Sequence, residues 1–295
     1  MLGAIIGDIV GSPYEFDNIK TTDFPLFSNH SYYTDDTVMT IAVAVGLWQG
    51  LNDPESSREA IIDAMHDFGN LYDRGYGGNF AQWIYQRSRQ PYGSYGNGSA
   101  MRVSSVGWLY DSLDDVERYA EISAAVSHNH PEGVKGAQAV ASAIFMARTG
   151  STKEQIRRHI VSRYGYDLSR TLDQIRPKYE FSEICQTSVP EAIIAFLESE
   201  NFEDAIRKAI SLGGDSDTIG AITGSIAEAF YHDIPQWIVD EALSRLGDPL
   251  REIVIDFQDI YKHRSRGTKL GIFAKSFQAV AGCFKQLSHR GGKND

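Results

Sequence analysis

Cysteine is scarce in this chain of 295 residues: Cys185 and Cys283 stand far apart and without metal-type spacing. That argues against a disulfide-framed fold or a cysteine zinc site, fits a reducing compartment, and makes the cytoplasm the expected location. Basic charge is short as well. Acids outnumber Lys plus Arg by 39 to 28, for a net charge of −11, so the overall field repels nucleic acid and other polyanions. No apolar run approaches the roughly 20 residues that span a bilayer. The opening stretch MLGAIIGDIVGSPYEF lacks a basic leader and carries Asp8 within its apolar run, so no secretory signal is expected. Alternating strand patterns are scarce, and no fixed repeat, low-complexity tract or linker interrupts the chain.

Apolar residues recur mostly at helical spacing. Val38, Ile41, Val45 and Trp48 share one face, and Ile219, Ile222, Ile226 and Phe230 another. Further helices are expected over 56–73, 79–89, 98–110, 114–126, 131–149, 152–163, 189–199, 202–211, 235–246 and 248–264. A hydrophobic content of 42% is ample for a buried core. Gly136, Ala139, Val140, Ala143 and Ala147 form a small-residue seam suited to a crowded bundle. The expectation is one compact all-α domain over 1–265, followed by a locally basic C-terminal helix and tail over 266–295.

Two acidic helix starts carry the chemistry. In YTDDT, one of Asp35 and Asp36 is accounted for as an ordinary helix start, where acids suit unpaired N–H groups and the dipole. The second is left over. SLGGDSDTIG repeats the arrangement with Asp215, Asp217 and Thr218 after a Gly-Gly turn. Where such ends meet, four carboxylates converge, and they are stable only if protonated or neutralised by cations. Hard oxygen donors without a Cys/His set select magnesium, manganese or calcium. GDIVGSPYEF reads as a glycine-rich turn flanked by Asp8 and Glu15, and a carboxylate beside a metal pair can take a proton from water.

GSYGNGSAMR, Gly93 to Arg102, places three glycines, Ser94, Tyr95 and Asn97 ahead of a helix, where the backbone can approach phosphate oxygens. It lacks the Gly-Lys-Ser/Thr of a Walker loop, and as an ordinary turn it would leave Met101 to packing and Arg102 to surface pairing. GYGGNF, with Gly78, is a second flexible loop. His128 and His130 in SHNHP have no further ligands to complete a zinc set, so contact with a ligand or helix capping is expected of them. Tyr14, Phe16, Tyr76, Phe80 and Tyr95 lie near the glycine loops, where some can stack on a nucleobase and others belong to the core.

Taken in order over residues 1–245, these motifs resemble the ADP-ribosylglycohydrolases. The resemblance implies an all-α orthogonal multi-helix bundle and a hydrolase cleaving the N- or O-glycosidic bond between ADP-ribose and an acceptor. It implies two magnesium or manganese ions on Thr34, Asp35, Asp36, Asp215, Asp217 and Thr218. Glu15 falls on the catalytic glutamate of the serine-directed branch, with Asp36 beside it as a catalytic carboxylate. Gly93, Ser94, Tyr95, Gly96, Asn97 and His128 would contact ADP-ribose, Gly78 would lie over the phosphates or distal ribose, and Asp8 would support the metals. An ADP-ribosylated protein is the expected partner, modified on arginine or serine; GSYGNGSAMR leans towards serine. Hydrolysis of a free metabolite such as O-acetyl-ADP-ribose, or a non-catalytic binding role, are the alternatives. Residues 151–188 are expected to border the acceptor.

Overall fold

A computed structural model describes residues 1–50 and 53–264. The described residues form α1 (Leu2–Gly11), α2 (Asp35–Gln49), α3 (Pro54–Leu71), α4 (Gly78–Tyr85), α5 (Gly98–Met101), α6 (Ser104–Leu109), α7 (Leu113–Ala125) and α8 (Pro131–Arg148). They continue with α9 (Lys153–Tyr164), α10 (Leu172–Ile175), α11 (Cys185–Glu198), α12 (Phe202–Ile210), α13 (Ser216–Tyr231), α14 (Gln236–Ser244) and α15 (Asp248–Arg264). Among the described residues there is no strand, only an antiparallel bridge between Gly96 and Ile184. The all-α expectation holds. No described helix is long and apolar enough to cross a membrane. Cys283 and the expected basic segment over 266–295 lie outside the described residues.

The first half of GDIVGSPYEF, expected as a glycine-rich turn, is instead the end of the buried helix α1. Its glycines recur every four residues and so line one face. A Cβ on Gly3 would lie 2.1 Å from the carbonyl oxygen of Gly224, and one on Gly11 would lie 2.5 Å from the Cα of Asp217. Only glycine permits that approach, so α1 seats directly on the backbone of α13. The contact brings Asp8 of α1 beside the start of α13.

Helix α2 begins at Thr34, whose hydroxyl accepts from the Asp36 amide at 3.2 Å. From Asp36 to Trp48 it is buried on all sides, so the expected apolar stripe is part of a wholly internal helix. The small-residue seam of α8 does lie against neighbours: a Cβ on Gly136 would meet Cys185 Sγ at 2.5 Å. The expected helix over 98–110 is broken at Arg102 and Val103 into α5 and α6.

Candidate active and metal site

The two acidic helix starts meet. Thr218 on α13 donates its hydroxyl to Asp36 on α2, at 3.0 and 3.2 Å to the two carboxylate oxygens. Oxygens of Glu15, Asp215 and Asp217 lie within 4.8 Å of one another. The Gly213-Gly214 turn, with φ of +68° and +72°, aims the start of α13, and a Cβ on Gly214 would strike Tyr179 at 2.5 Å.

Asp8 lies beneath this cluster. Its carboxylate accepts from Thr34 N at 3.0 Å, Thr34 Oγ1 at 2.8 Å, Thr37 N at 3.0 Å and the Thr37 hydroxyl. Asp8 therefore binds the start of α2 from another helix, with its lone pairs largely committed. Asn18, for which the sequence carries no local signal, ties Glu15 to the α13 turn. Its Nδ2 donates to Glu15 O at 2.9 Å and Gly214 O at 2.9 Å, and its Oδ1 accepts from Gly214 N at 2.7 Å. Asn97 Nδ2 donates to Asp215 at 2.6 Å and to Ser188 at 3.1 Å, linking the glycine loop to the acids.

The electrostatics are severe. None of these carboxylates has a Lys or Arg ion pair among the described residues. Burial, then the charge of Asp217, holds Asp35, Asp36 and Asp215 well above the ordinary carboxylate range. Burial also raises Asp217. Asp8 is pushed up to about 7 by burial and then by Asp217. Burial and the charges of Asp217, Asp8 and Glu183 push Glu15 up to about 8. Such a group either holds protons or awaits cations.

A pocket of about 330 Å³ opens onto the cluster. Of the residues expected at the site, Glu15, Asp35, Asp36, Gly78, Ser94, Gly96, Asn97, His128, Asp215, Asp217 and Thr218 line it. Thr34 lies behind the wall, engaged with Asp8 and the Asp36 amide. Gly93 and Tyr95 fall outside: the Gly93 amide binds Asn129 at 2.8 Å, and the Tyr95 ring lies 5.2 Å from that of His130. His130 caps α8, accepting from Glu132 N at 3.1 Å.

Among the aromatics, Phe16 and Phe80 border the pocket. Tyr14 turns its ring to Phe24 at 5.3 Å, and Tyr76 turns to Phe80 at 5.7 Å. Tyr92 and Arg102 also line the pocket and were not expected there, and Glu183 joins them from the 151–188 stretch expected to border the acceptor. Arg102 is 0% exposed, so it does not make the surface pairing that an ordinary turn would leave to it. For Glu183 the sequence holds no local signal, because backbone pairing of its segment with Gly96 and Asn97 brings it in, including Asn97 N to Glu183 O at 2.8 Å. A larger cavity of about 610 Å³ lies between α1, α13, α14 and α15. Its buried acid Glu228 is already bound to the Met1 ammonium at 2.7 Å and to Gln258 at 2.8 Å.

The donor set fits hard divalent cations. All the candidates are carboxylate or hydroxyl oxygens; after donating their hydrogens Thr218 keeps its lone pairs and Thr34, which also accepts from the Asp36 amide, keeps one.

Comparison with known proteins agrees with this architecture. The profile of the ADP-ribosylglycohydrolase family matches residues 1–267. The ADP-ribosylhydrolase ARH3 of Homo sapiens is 30% identical, over 78% of this chain and 84% of that protein. The ADP-ribosylarginine hydrolase Tri1 of Pseudomonas putida is 26% identical, over 87% of this chain and 76% of its own. A solved structure titled an ADP-ribosylglycohydrolase-related protein complex shares the fold, with a TM-score of 0.61 at 22% identity over 88% of this chain and 97% of that one. With its profile spanning nearly every described residue and its acidic helix starts joined across α1, α2 and α13, this chain belongs to the ADP-ribosylglycohydrolase family.

Proposed function

We propose that this chain hydrolyses the N- or O-glycosidic bond between ADP-ribose and a protein side chain, using two magnesium or manganese ions. The reading rests on the union of Asp36 with Thr218 and of Glu15 with Asp215 and Asp217 at one pocket end. Thr34, Asp35, Asp36, Asp215, Asp217 and Thr218 would hold the ions. Bound divalent cations lower the pKa of water and polarise sugar hydroxyls.

The protein side of the reaction falls to a few groups. Glu15 is half-buried beside the acids and faces the pocket, placed to move a proton to the departing acceptor atom or from an attacking water. Asn97 and Asp8 fix the acids from two sides. Ser94, Gly96 and His128 line the end that would receive the nucleotide, and Phe80 and Tyr92 offer ring surface there. Asp36 sits as both a candidate ion ligand and a charge facing the reacting sugar. The two-carboxylate scheme of ordinary glycosidases is replaced here by one proton-handling acid and an ion site.

Of the two relatives, one is named an ADP-ribosylarginine hydrolase and the other's name specifies no acceptor. The GSYGNGSAMR loop favours serine for this chain. A single panel tests the reading: purified protein with magnesium or manganese, presented with arginine-, serine- and DNA-linked ADP-ribose and with O-acetyl-ADP-ribose, scored by released ADP-ribose. Metal-dependent release from a modified side chain supports it. Release only from O-acetyl-ADP-ribose moves the substrate to a free metabolite, and tight ADP-ribose binding without any release makes the protein a binder.

A further inference from the structure

Three buried side chains stand behind the nucleotide end of the pocket. Arg102, in the break between α5 and α6, donates from Nη2 to Ser123 O at 3.2 Å and to Ser127 Oγ at 2.8 Å. Its guanidinium carbon lies 5.6 Å from the Phe80 ring centroid, and its Nε and Nη1 have no hydrogen-bond partner among the described residues. Ser127, equally buried, lies 2.8 Å from Nδ1 of His128.

The proton arrangement follows from what each group can do. A guanidinium only donates, so the Ser127 oxygen accepts from Arg102. Its own hydrogen then has one remaining partner among the described residues, His128 Nδ1. Were Nδ1 protonated instead, the serine hydrogen would be buried without an acceptor. Nδ1 is therefore an acceptor, and the single proton of the neutral ring sits on Nε2. Nε2 faces the pocket side: it lies 3.1 Å from where a Cβ on Gly98 would stand and 3.6 Å from one on Gly96. The edges of Phe80 and Tyr92, with centroids at 6.2 and 5.8 Å, hold the ring in place. Burial, and then the Arg102 charge, keeps the imidazole neutral by lowering its pKa well below the ordinary value.

We propose that Arg102 and Ser127 are positioning residues that hold His128 as an Nε2–H donor aimed at an acceptor atom of the bound nucleotide. The identity of that nucleotide rests on the function proposed above; the tautomer does not. The test is long-range 1H–15N correlation on the ring nitrogens of His128 in the full chain without ligand, alongside calorimetric titration with ADP-ribose. Wild type is expected to show a protonated Nε2 and a bare Nδ1. Ser127→Ala is expected to lose that fixed pattern, bind ADP-ribose roughly tenfold more weakly, and raise KM more than it lowers kcat. Arg102→Lys, which keeps a donor to Ser127, should retain the wild-type pattern.

A protonated Nδ1 in the wild type overturns the proposal. So does Ser127→Ala with its nitrogen pattern unchanged, whatever its affinity. A wild type with the expected pattern but no affinity for ADP-ribose removes the functional reading and leaves the positioning assignment standing.

Discussion

Gly7 of α1 and Gly220 of α13 meet backbone to backbone: a Cβ on the first would lie 2.0 Å from the carbonyl oxygen of the second. That proximity sets how far Asp8 reaches beneath α2, and so where the two acidic helix starts stand relative to each other.

Gly7→Ala is expected to destabilise the fold by about 3 kcal/mol or more, because the added methyl has only main-chain atoms to displace. Gly247→Ala, where a Cβ meets nothing within 4 Å, is expected to stay within about 0.5 kcal/mol. Urea unfolding of both variants checks the contrast. Equal stability would show that α1 and α13 stand farther apart.

Asp36→Ala or Asp217→Ala should reduce metal-dependent ADP-ribose release at least ~100-fold, the upper end of the effect of merely supporting groups around a metal. The fold should survive, since removing one acid from a buried cluster relieves repulsion. Circular dichroism beside the release assay separates the two effects, and full activity in both variants would refute the assignment of the acids.

Glu15→Gln should lower kcat by roughly 100- to 10,000-fold, the span of general acid–base contributions. Calorimetric affinity for ADP-ribose should stay within a few-fold. A variant that loses binding and rate together would make Glu15 a ligand contact.

Asn18→Ala cuts the ties between the Glu15 carbonyl and the Gly214 turn. Turnover is expected to fall roughly tenfold to a hundredfold from misplacement of Glu15, with a stability loss of only about 1 kcal/mol because the site is exposed. Steady-state kinetics with a melting curve decides. A variant whose loss of rate matches its unfolded fraction would leave Asn18 a purely structural clamp.

His66 supplies the pH prediction. It is fully buried, its ring 4.4 Å from that of Trp83, and neither nitrogen has a hydrogen-bond partner among the described residues. Burial, then the charges of Arg87 and Arg89, pushes its pKa from 6.5 down to about 4. Between those values the unfolded chain takes up a proton that the folded chain refuses, so stability falls as pH drops through that window and is whole above it. The slope is at most ~1.4 kcal/mol per pH unit. His66→Phe should flatten that part of the profile relative to wild type, as read by denaturant midpoints at several pH values.

Much of this arrangement was legible in the sequence. The helical period marked most elements, and YTDDT with SLGGDSDT announced the acids, because an ordinary helix start accounts for only one carboxylate of the pair and the arrangement occurs twice. What was not legible depended on contacts between distant segments. GDIVG looked like a turn because its glycines are also turn residues, and only α13 shows that they serve helix contact. The ordinary-turn alternative for GSYGNGSAMR would place Arg102 at the surface, because a fully buried guanidinium without a carboxylate is rare. Asn18 and Glu183 carry no local pattern, and each acquires its place through hydrogen bonds to a remote stretch of chain.

The bridge between Gly96 and Ile184, with Cys185 N donating to Tyr95 O at 3.1 Å, joins the glycine loop to the start of α11 through main-chain atoms, beside side-chain bonds such as that from Asn97 to Ser188. The main-chain part of that tether is indifferent to side chains. Mutational drift along that segment can reshape the rim of the cleft while the glycine loop keeps its form, which would separate the evolution of selectivity from that of the proposed catalysis.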